Sequence, residues 1–121
     1  MEISGLVITF NEEKNIGKCI DALLKVCNEV IIVDSFSKDR TVEIAKEKGA
    51  IVIEQAFLGD GPQRTHGLPY CKNDWILNLD ADEFLDKDAE EFILNKKYLE
   101  GNYDAFSFRV KNFLADKLIN F

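Results

Sequence analysis

The sequence predicts an α/β fold: a doubly wound, mostly parallel sheet with helices on both faces. Three observations carry that expectation. Near-continuous apolar runs of strand length recur along the chain, the segments between them carry apolar residues at helical spacing, and the joints are short. Strands alternating with helices in one sheet imply parallel pairing and right-handed crossovers.

Residues 3–9 form the first apolar run, as a buried parallel strand requires. Asn11 is then placed to cap a helix whose apolar face is Ile16, Cys19, Ile20, Leu23, Leu24 and Cys27. Residues 30–33 form a second strand ending at Asp34. Asp39 can cap a second helix that turns Val42 and Ala45 inward, and Gly49 can end it. Residues 51–53 read as the third strand. Gly61-Pro62 reads as a helix start, because proline suits the first helical position, and Pro69 should end or kink that helix early. Residues 75–79 are the fourth strand. Asp86 can cap a fourth helix with Ala89, Phe92 and Ile93 inward. Phe106, Phe108 and Val110 alternate with polar residues, which suggests a fifth strand with a more solvated face. The remaining phenylalanines of this tail, Phe113 and Phe121, read with Phe106 and Phe108 as core or as an interface. The whole is a Rossmann-like pattern without linker, repeat or low-complexity segment.

At 121 residues the chain has the length of one small domain, and 46% hydrophobic content is globular. A net charge of −7 argues against nucleic acid or an anionic membrane as the main partner. An acidic protein that binds a phosphorylated ligand needs positive charge from an ion or from a few placed basic residues. Cys19, Cys27 and Cys71 are odd in number and match no zinc or redox spacing, so they read as core residues of a reducing compartment. No apolar run approaches the roughly 18 residues that span a membrane. Residues 1–10 lack a basic start and read as a strand rather than a signal peptide.

The polar residues gather where the strands end. Thr9 and Asn11 follow strand one, Asp34 follows strand two, and Asp80, Asp82 and Glu83 follow strand four. Ligands of such sheets sit beyond the carboxyl ends of the strands, where strand order reverses. With order 3-2-1-4, Asp34 and the acidic group flank one crevice. In an extended segment Asp80 and Asp82 would share a side. Their repulsion, about 3 kcal/mol at roughly 5 Å and an effective dielectric near 20, is reversed by a divalent cation. Gly59-Asp60-Gly61 is not a dinucleotide fingerprint, and there is no Walker lysine motif. Metal plus a basic side chain, with Arg64 the candidate, is the natural substitute for a phosphate loop. His66, the single histidine, reads as structural.

With those residues in place, the chain resembles the nucleotide-binding half of a family 2 glycosyltransferase with the GT-A fold. The resemblance runs through Val7-Ile8-Thr9-Phe10-Asn11-Glu12-Glu13, then Ile31-Ile32-Val33-Asp34-Ser35 with Ser37, Asp39 and Thr41, then Asp74-Trp75-Ile76-Leu77-Asn78-Leu79-Asp80-Ala81-Asp82-Glu83. The last carries the family's DXD motif. Asp34-Ser35-Phe36-Ser37 and Gly61-Pro62-Gln63-Arg64 are similar to the bacterial lipopolysaccharide-core branch, whose members commonly move glucose from UDP-glucose. Many members carry Asp-Asp-Gly-Ser where this chain has Asp34-Ser35-Phe36-Ser37, and Asn where His66 stands.

The resemblance implies an inverting hexosyltransferase with a UDP-sugar donor, a glycan or glycolipid acceptor and Mn²⁺ or Mg²⁺. Thr9 and Asn11 would border the uracil pocket and Asp34 would read the base. Asp80 would meet the ribose, Asp82 would hold the metal, Arg64 would lie near the phosphates, and Glu83 would add a metal-side or sugar contact. No residue is assigned as catalytic base, because in this family the base follows the DXD half. Residues 1–121 are therefore expected to form one nucleotide-sugar-binding domain, truncated before the acceptor half and poor at transfer alone. The expected location is cytoplasmic, with peripheral association of the full-length enzyme at the inner face of the bacterial inner membrane.

Three other readings compete on residues alone, one of them a non-catalytic interaction domain, which no exposed apolar stripe or charge run recommends. A Mg²⁺-dependent receiver needs an acidic pair after strand one, an Asp after strand three and a Lys after strand five. Here strand one ends in Thr9-Phe10-Asn11, although Glu12 and Glu13 follow, and strand three ends in Glu54-Gln55. A phosphatase with an Asp-x-Asp nucleophile needs that pair after strand one, not strand four.

Overall fold

The computed structural model describes residues 2–96, Leu99 and the backbone of 110–112. Four strands, β1 (Ile3–Thr9), β2 (Glu29–Asp34), β3 (Ile51–Glu54) and β4 (Trp75–Asn78), form one sheet in the order β3-β2-β1-β4, with every pair parallel. Strand order reverses between β1 and β4, which is the arrangement that places Asp34 and the acidic group around one crevice.

Side-chain alternation along β2 shows why the strand runs are apolar throughout. Val30 and Ile32 enter one core with Val7, Ile16, Cys19, Ile20, Leu23 and Ala45. Ile31 and Val33 enter the other with Leu6. The first core lies under α1 (Ile16–Leu24) and α2 (Thr41–Glu47), and continues to Leu85, Ala89 and Ile93. The second lies under α3 (Asp60–Gly67) and a short 3₁₀ turn, Leu68–Tyr70. Gly67 lets α3 settle onto the sheet: a Cβ there would come within 2.6 Å of Leu6 and 2.7 Å of Val33.

Several local expectations hold. Gly49 ends α2 with φ of 89°, a conformation that favours glycine. Asp39 accepts from the Thr41 amide at 2.9 Å, one residue ahead of the formal cap Arg40. Pro62 lies in the first turn of α3, and the helix stops before Pro69. Asp86 caps α4 (Lys87–Leu94) by accepting from the Ala89 amide at 2.8 Å. Burial raises the thiols of Cys19 and Cys27 to about 12, as suits inert core residues.

Other expectations are corrected. Asn11 does not cap α1, which begins five residues later at Ile16 with Asn15 at the cap position. Helix α1 stops at Leu24, so Cys27 is buried just beyond it, and Leu24 is exposed. Strand β4 ends at Asn78, one residue early. A short strand, β5 (Glu83–Leu85), follows the acidic group and pairs antiparallel with β6 (Val110–Asn112) in a separate two-stranded sheet. Of the expected fifth strand only Val110 lies within the described residues. Phe106, Phe108, Phe113 and Phe121 lie outside them. Among the described residues no helix is long and apolar enough to cross a membrane.

Candidate functional site

The carboxyl ends of β1, β2 and β4 meet at one cavity of about 320 Å³. Thr9 and Phe10 reach it from β1, Ser35 from β2, and Asp80, Ala81 and Asp82 from the end of β4. Glu12, Phe57 and Asp60 complete the rim with Ile8. Acidic side chains from separate crossover units therefore face one space.

The Asp80-Ala81-Asp82 segment is a turn rather than an extended run. The Glu83 amide donates to the Asp80 carbonyl at 3.0 Å, and the Glu83 carboxylate accepts from the Asp80 amide at 2.8 Å. Ala81 is buried in the core, and the two aspartates on either side of it line the cavity. The shared side thus comes from a buried alanine and not from strand alternation. Glu83 closes the turn. Its pKa is raised by burial; the Asp80 amide opposes that shift, and Asp80 and Asp82 add to it.

Arg64 pairs with Asp80 at 2.5 Å from the middle of α3. Its other terminal nitrogen, Nη1, is buried without a hydrogen-bond partner. A buried unsatisfied donor costs about 1–3 kcal/mol, more for a charged group, so this one is suited to an arriving anion.

Asp34 stands directly behind Thr9 and is fully buried. Its Oδ1 accepts from the Thr9 hydroxyl at 2.7 Å and the Ser37 hydroxyl at 2.6 Å, and its Oδ2 from the Ser37 amide at 2.8 Å. The carboxylate is therefore satisfied from within, and Thr9 separates it from the cavity.

Asn11 is not on the cavity lining. Its side-chain oxygen accepts from the Lys38 amide at 2.8 Å, and its own amide donates to the Ser37 hydroxyl at 2.8 Å. These bonds belong to a seam between the β1–α1 and β2–α2 loops. The Glu12 amide donates to the Thr41 hydroxyl at 2.7 Å, the Glu13 amide to Asp39 at 3.2 Å, and the Arg40 amide to the Glu13 carboxylate at 3.2 Å. The seam holds Asn11 and Phe36 at φ of 52° and 58°, left-handed conformations unusual for both, and more so for a phenylalanine.

Glu12, on the cavity wall, has its pKa raised, first by burial and then by Asp82, Asp39 and Asp80, while its bond with Asn15 opposes the shift. His66 packs against Tyr70, with ring centroids 6.5 Å apart, which is a structural role. The sequence reading missed Glu12, Asp60, Phe10 and Phe57 as cavity residues. Their one available signal was position, each lying just past a strand's carboxyl end or at the start of α3.

Oxygen-only donors suit Mg²⁺ or Mn²⁺, which bind through one or two carboxylates plus substrate phosphates. Asp80 and Asp82 are such donors, and after burial their charges help raise the pKa of the neighbouring Glu12 and Glu83. Among the described residues no three His, Cys, Asp or Glu side chains converge to hold an ion unaided. The donor set fits an ion shared with a ligand's phosphates.

Comparison with known proteins identifies the family and the fold. The profile described as "Glycosyl transferase family 2" matches residues 4–118. An uncharacterized glycosyltransferase of Rickettsia bellii (strain RML369-C) is 45% identical over 92 residues, covering 76% of this chain and 31% of the relative. The lipopolysaccharide core biosynthesis glycosyltransferase LpsC of Rhizobium meliloti (strain 1021) is 35% identical over 98 residues, covering 77% and 36%. The chain thus spans about a third of the length of these relatives. Among solved structures, glucosyl-3-phosphoglycerate synthase from Mycobacterium tuberculosis, in complex with Mn²⁺, UDP and glucosyl-3-phosphoglycerate, superposes with a TM-score of 0.61 at 26% identity. That match covers 69% of this chain and 34% of the synthase. The same synthase has been solved with Mg²⁺ and UDP.

Proposed function

The chain belongs to glycosyl transferase family 2, with the GT-A type of α/β fold, and from that premise we propose that it is the donor-binding domain of a metal-dependent, inverting hexosyltransferase. The donor is a UDP-sugar, UDP-glucose in our reading. The acceptor is a glycan or glycolipid such as lipopolysaccharide core. The observation that carries the reading is that Thr9, Asp80 and Asp82 line one cavity, with Asp34 bonded to the back of Thr9.

In this reading Thr9 borders the base, and Asp34 sets base preference through the hydroxyl that it orients. Asn11 shapes the loop that carries Thr9. Asp80 meets the ribose. Arg64 offers its unpartnered nitrogen to the diphosphate, a charge-assisted contact. Asp82 holds Mn²⁺ or Mg²⁺, which when bound supplies Lewis acidity toward the departing diphosphate. Transfer needs a base to take the acceptor hydroxyl's proton, typically worth about 10²–10⁴-fold, and no residue of this chain is assigned to it. Binding without efficient transfer is the expected behaviour of residues 1–121. We place the enzyme in the cytoplasm, with peripheral association at the inner face of the membrane that holds its acceptor.

The test is a calorimetric titration of UDP and UDP-glucose against CDP and GDP, with Mn²⁺ and then with EDTA, on a sample shown to be folded by circular dichroism. Metal-dependent preference for uridine nucleotides is the expected result. Equal affinity for all bases, or affinity unchanged by EDTA, overturns the proposal.

A further inference from the structure

Three β–α loops each leave a phenylalanine at the carboxyl rim of the sheet. Phe10, Phe36 and Phe57 follow β1, β2 and β3 and are 55%, 53% and 61% exposed. No core explains them. Phe10 and Phe57 line the cavity, and Phe36 does not.

Strand spacing sets how far apart the two strands that lead into those loops end. Strands β1 and β3 lie on either side of β2. Neighbouring strands are about 4.8 Å apart, so the two strand ends are roughly 10 Å apart. A flat ring stacked between two aromatic faces needs about 7 Å, twice the usual stacking distance of roughly 3.5 Å. Ser35, which follows β2, lies between the two loops and also lines the cavity.

The Phe57 loop is pinned. Gln63 of α3 is fully buried, and its amide clasps that loop on both sides of Phe57. Its Nε2 donates to the Gln55 carbonyl at 2.9 Å, and its Oε1 accepts from the Leu58 amide at 2.9 Å. The same Nε2 donates to the Ser35 hydroxyl at 3.2 Å, tying the slot's wall to its floor. A ring so exposed, on a loop so firmly held, is positioned for a ligand.

We propose that Phe57 is one wall of an aromatic slot, across from Phe10, that takes the flat base of the nucleotide, with Ser35 at its floor. The inference rests on the nucleotide-sugar reading above and adds a residue that sets affinity for the base rather than for the phosphates.

Phe57→Ala, Phe57→Tyr and Phe57→Trp are made in the whole chain and titrated with UDP and with inorganic pyrophosphate in the presence of Mn²⁺. Phe57→Ala should weaken UDP roughly 5- to 100-fold, the range for loss of one base–aromatic stack. Pyrophosphate, which has no base, should be unaffected. Phe57→Tyr should bind as the parent does. Phe57→Trp should show emission quenched by UDP and not by pyrophosphate. If Phe57→Ala loses pyrophosphate as well, its loop has collapsed and the Trp variant decides: quenching supports the slot and unquenched emission overturns it. Parent-like UDP affinity in Phe57→Ala overturns the slot while leaving the nucleotide-sugar reading intact. Absence of nucleotide binding by the folded parent overturns both.

Discussion

Thr9 and Asp34 face each other across the β1–β2 pair, and the Thr9 hydroxyl donates to the Asp34 carboxylate at 2.7 Å with both side chains buried. Thr9→Val keeps the shape and removes the donor. Leaving a buried carboxylate oxygen short of one bond should cost about 1–3 kcal/mol, read as a lower urea midpoint. Thr9→Ser should recover most of it. In the functional reading, Asp34→Ala also loses discrimination among UDP, CDP and GDP, and unchanged selectivity would remove Asp34 from the base pocket.

Asp82→Ala should leave the fold intact and abolish stabilisation by metal. With UDP present and Mn²⁺ at about 100 times its dissociation constant, the parent gains about 2.7 kcal/mol over UDP alone, visible as a rise in Tm. An equal rise in the variant places the ion elsewhere.

Arg64→Gln separates phosphate from base. Loss of a charged hydrogen bond is worth about 1.5–3 kcal/mol, so UDP should weaken at least tenfold while uridine binds as before. Equal losses for both ligands would mean that Arg64 acts by holding the Asp80 turn.

Glu12 gives the protein a signed pH dependence. Its carboxyl is raised by burial and by Asp82, Asp39 and Asp80, so the folded state holds that proton more tightly than the unfolded chain. The stabilising contribution is complete below the ordinary glutamate range and is lost as pH rises through the raised value. Glu12→Gln should flatten the fall in urea midpoint as pH rises above the ordinary glutamate range. Parallel curves for parent and variant would contradict this.

Phe36 sits at φ of 58°, where a Cβ is strained by about 1–2 kcal/mol. Phe36→Gly removes that strain but adds entropy to the unfolded chain, so its net stability should be unchanged to about 1 kcal/mol higher. Phe36→Val should be clearly less stable than either. Urea unfolding of the three proteins decides.

The strand positions and most helix ends were legible because they depend on local signals. Apolar runs mark β1 to β4, Asp86 and Asp39 sit before their helices, and Pro69 stops α3. The functional crevice followed from topology, since parallel strands in the order β3-β2-β1-β4 bring the ends of β1 and β4 together. What was hidden depends on distant partners. Asn11 looked like a cap because nothing in its neighbourhood announces Ser37 and Lys38, which hold it. Strand β5 is short and overlaps the acidic group, and its partner β6 is far along the chain. The turn at Asp80 needs the reach of Glu83 back to its amide, which residue identity alone does not reveal. Phe57 carried no motif, and its meaning comes from Gln63 beneath it.

The seam of amides, hydroxyls and carboxylates joining the two loops near Thr9 is built entirely from the chain's own groups. A preorganised mouth spares association the entropy of ordering those loops. Damage there should therefore show first as poor yield or a low melting point, with affinity per correctly folded molecule nearly unchanged. A scan of Asn11, Ser37 and Thr41 scored only by nucleotide binding in crude extract would mistake builders of the doorway for its occupants' hosts.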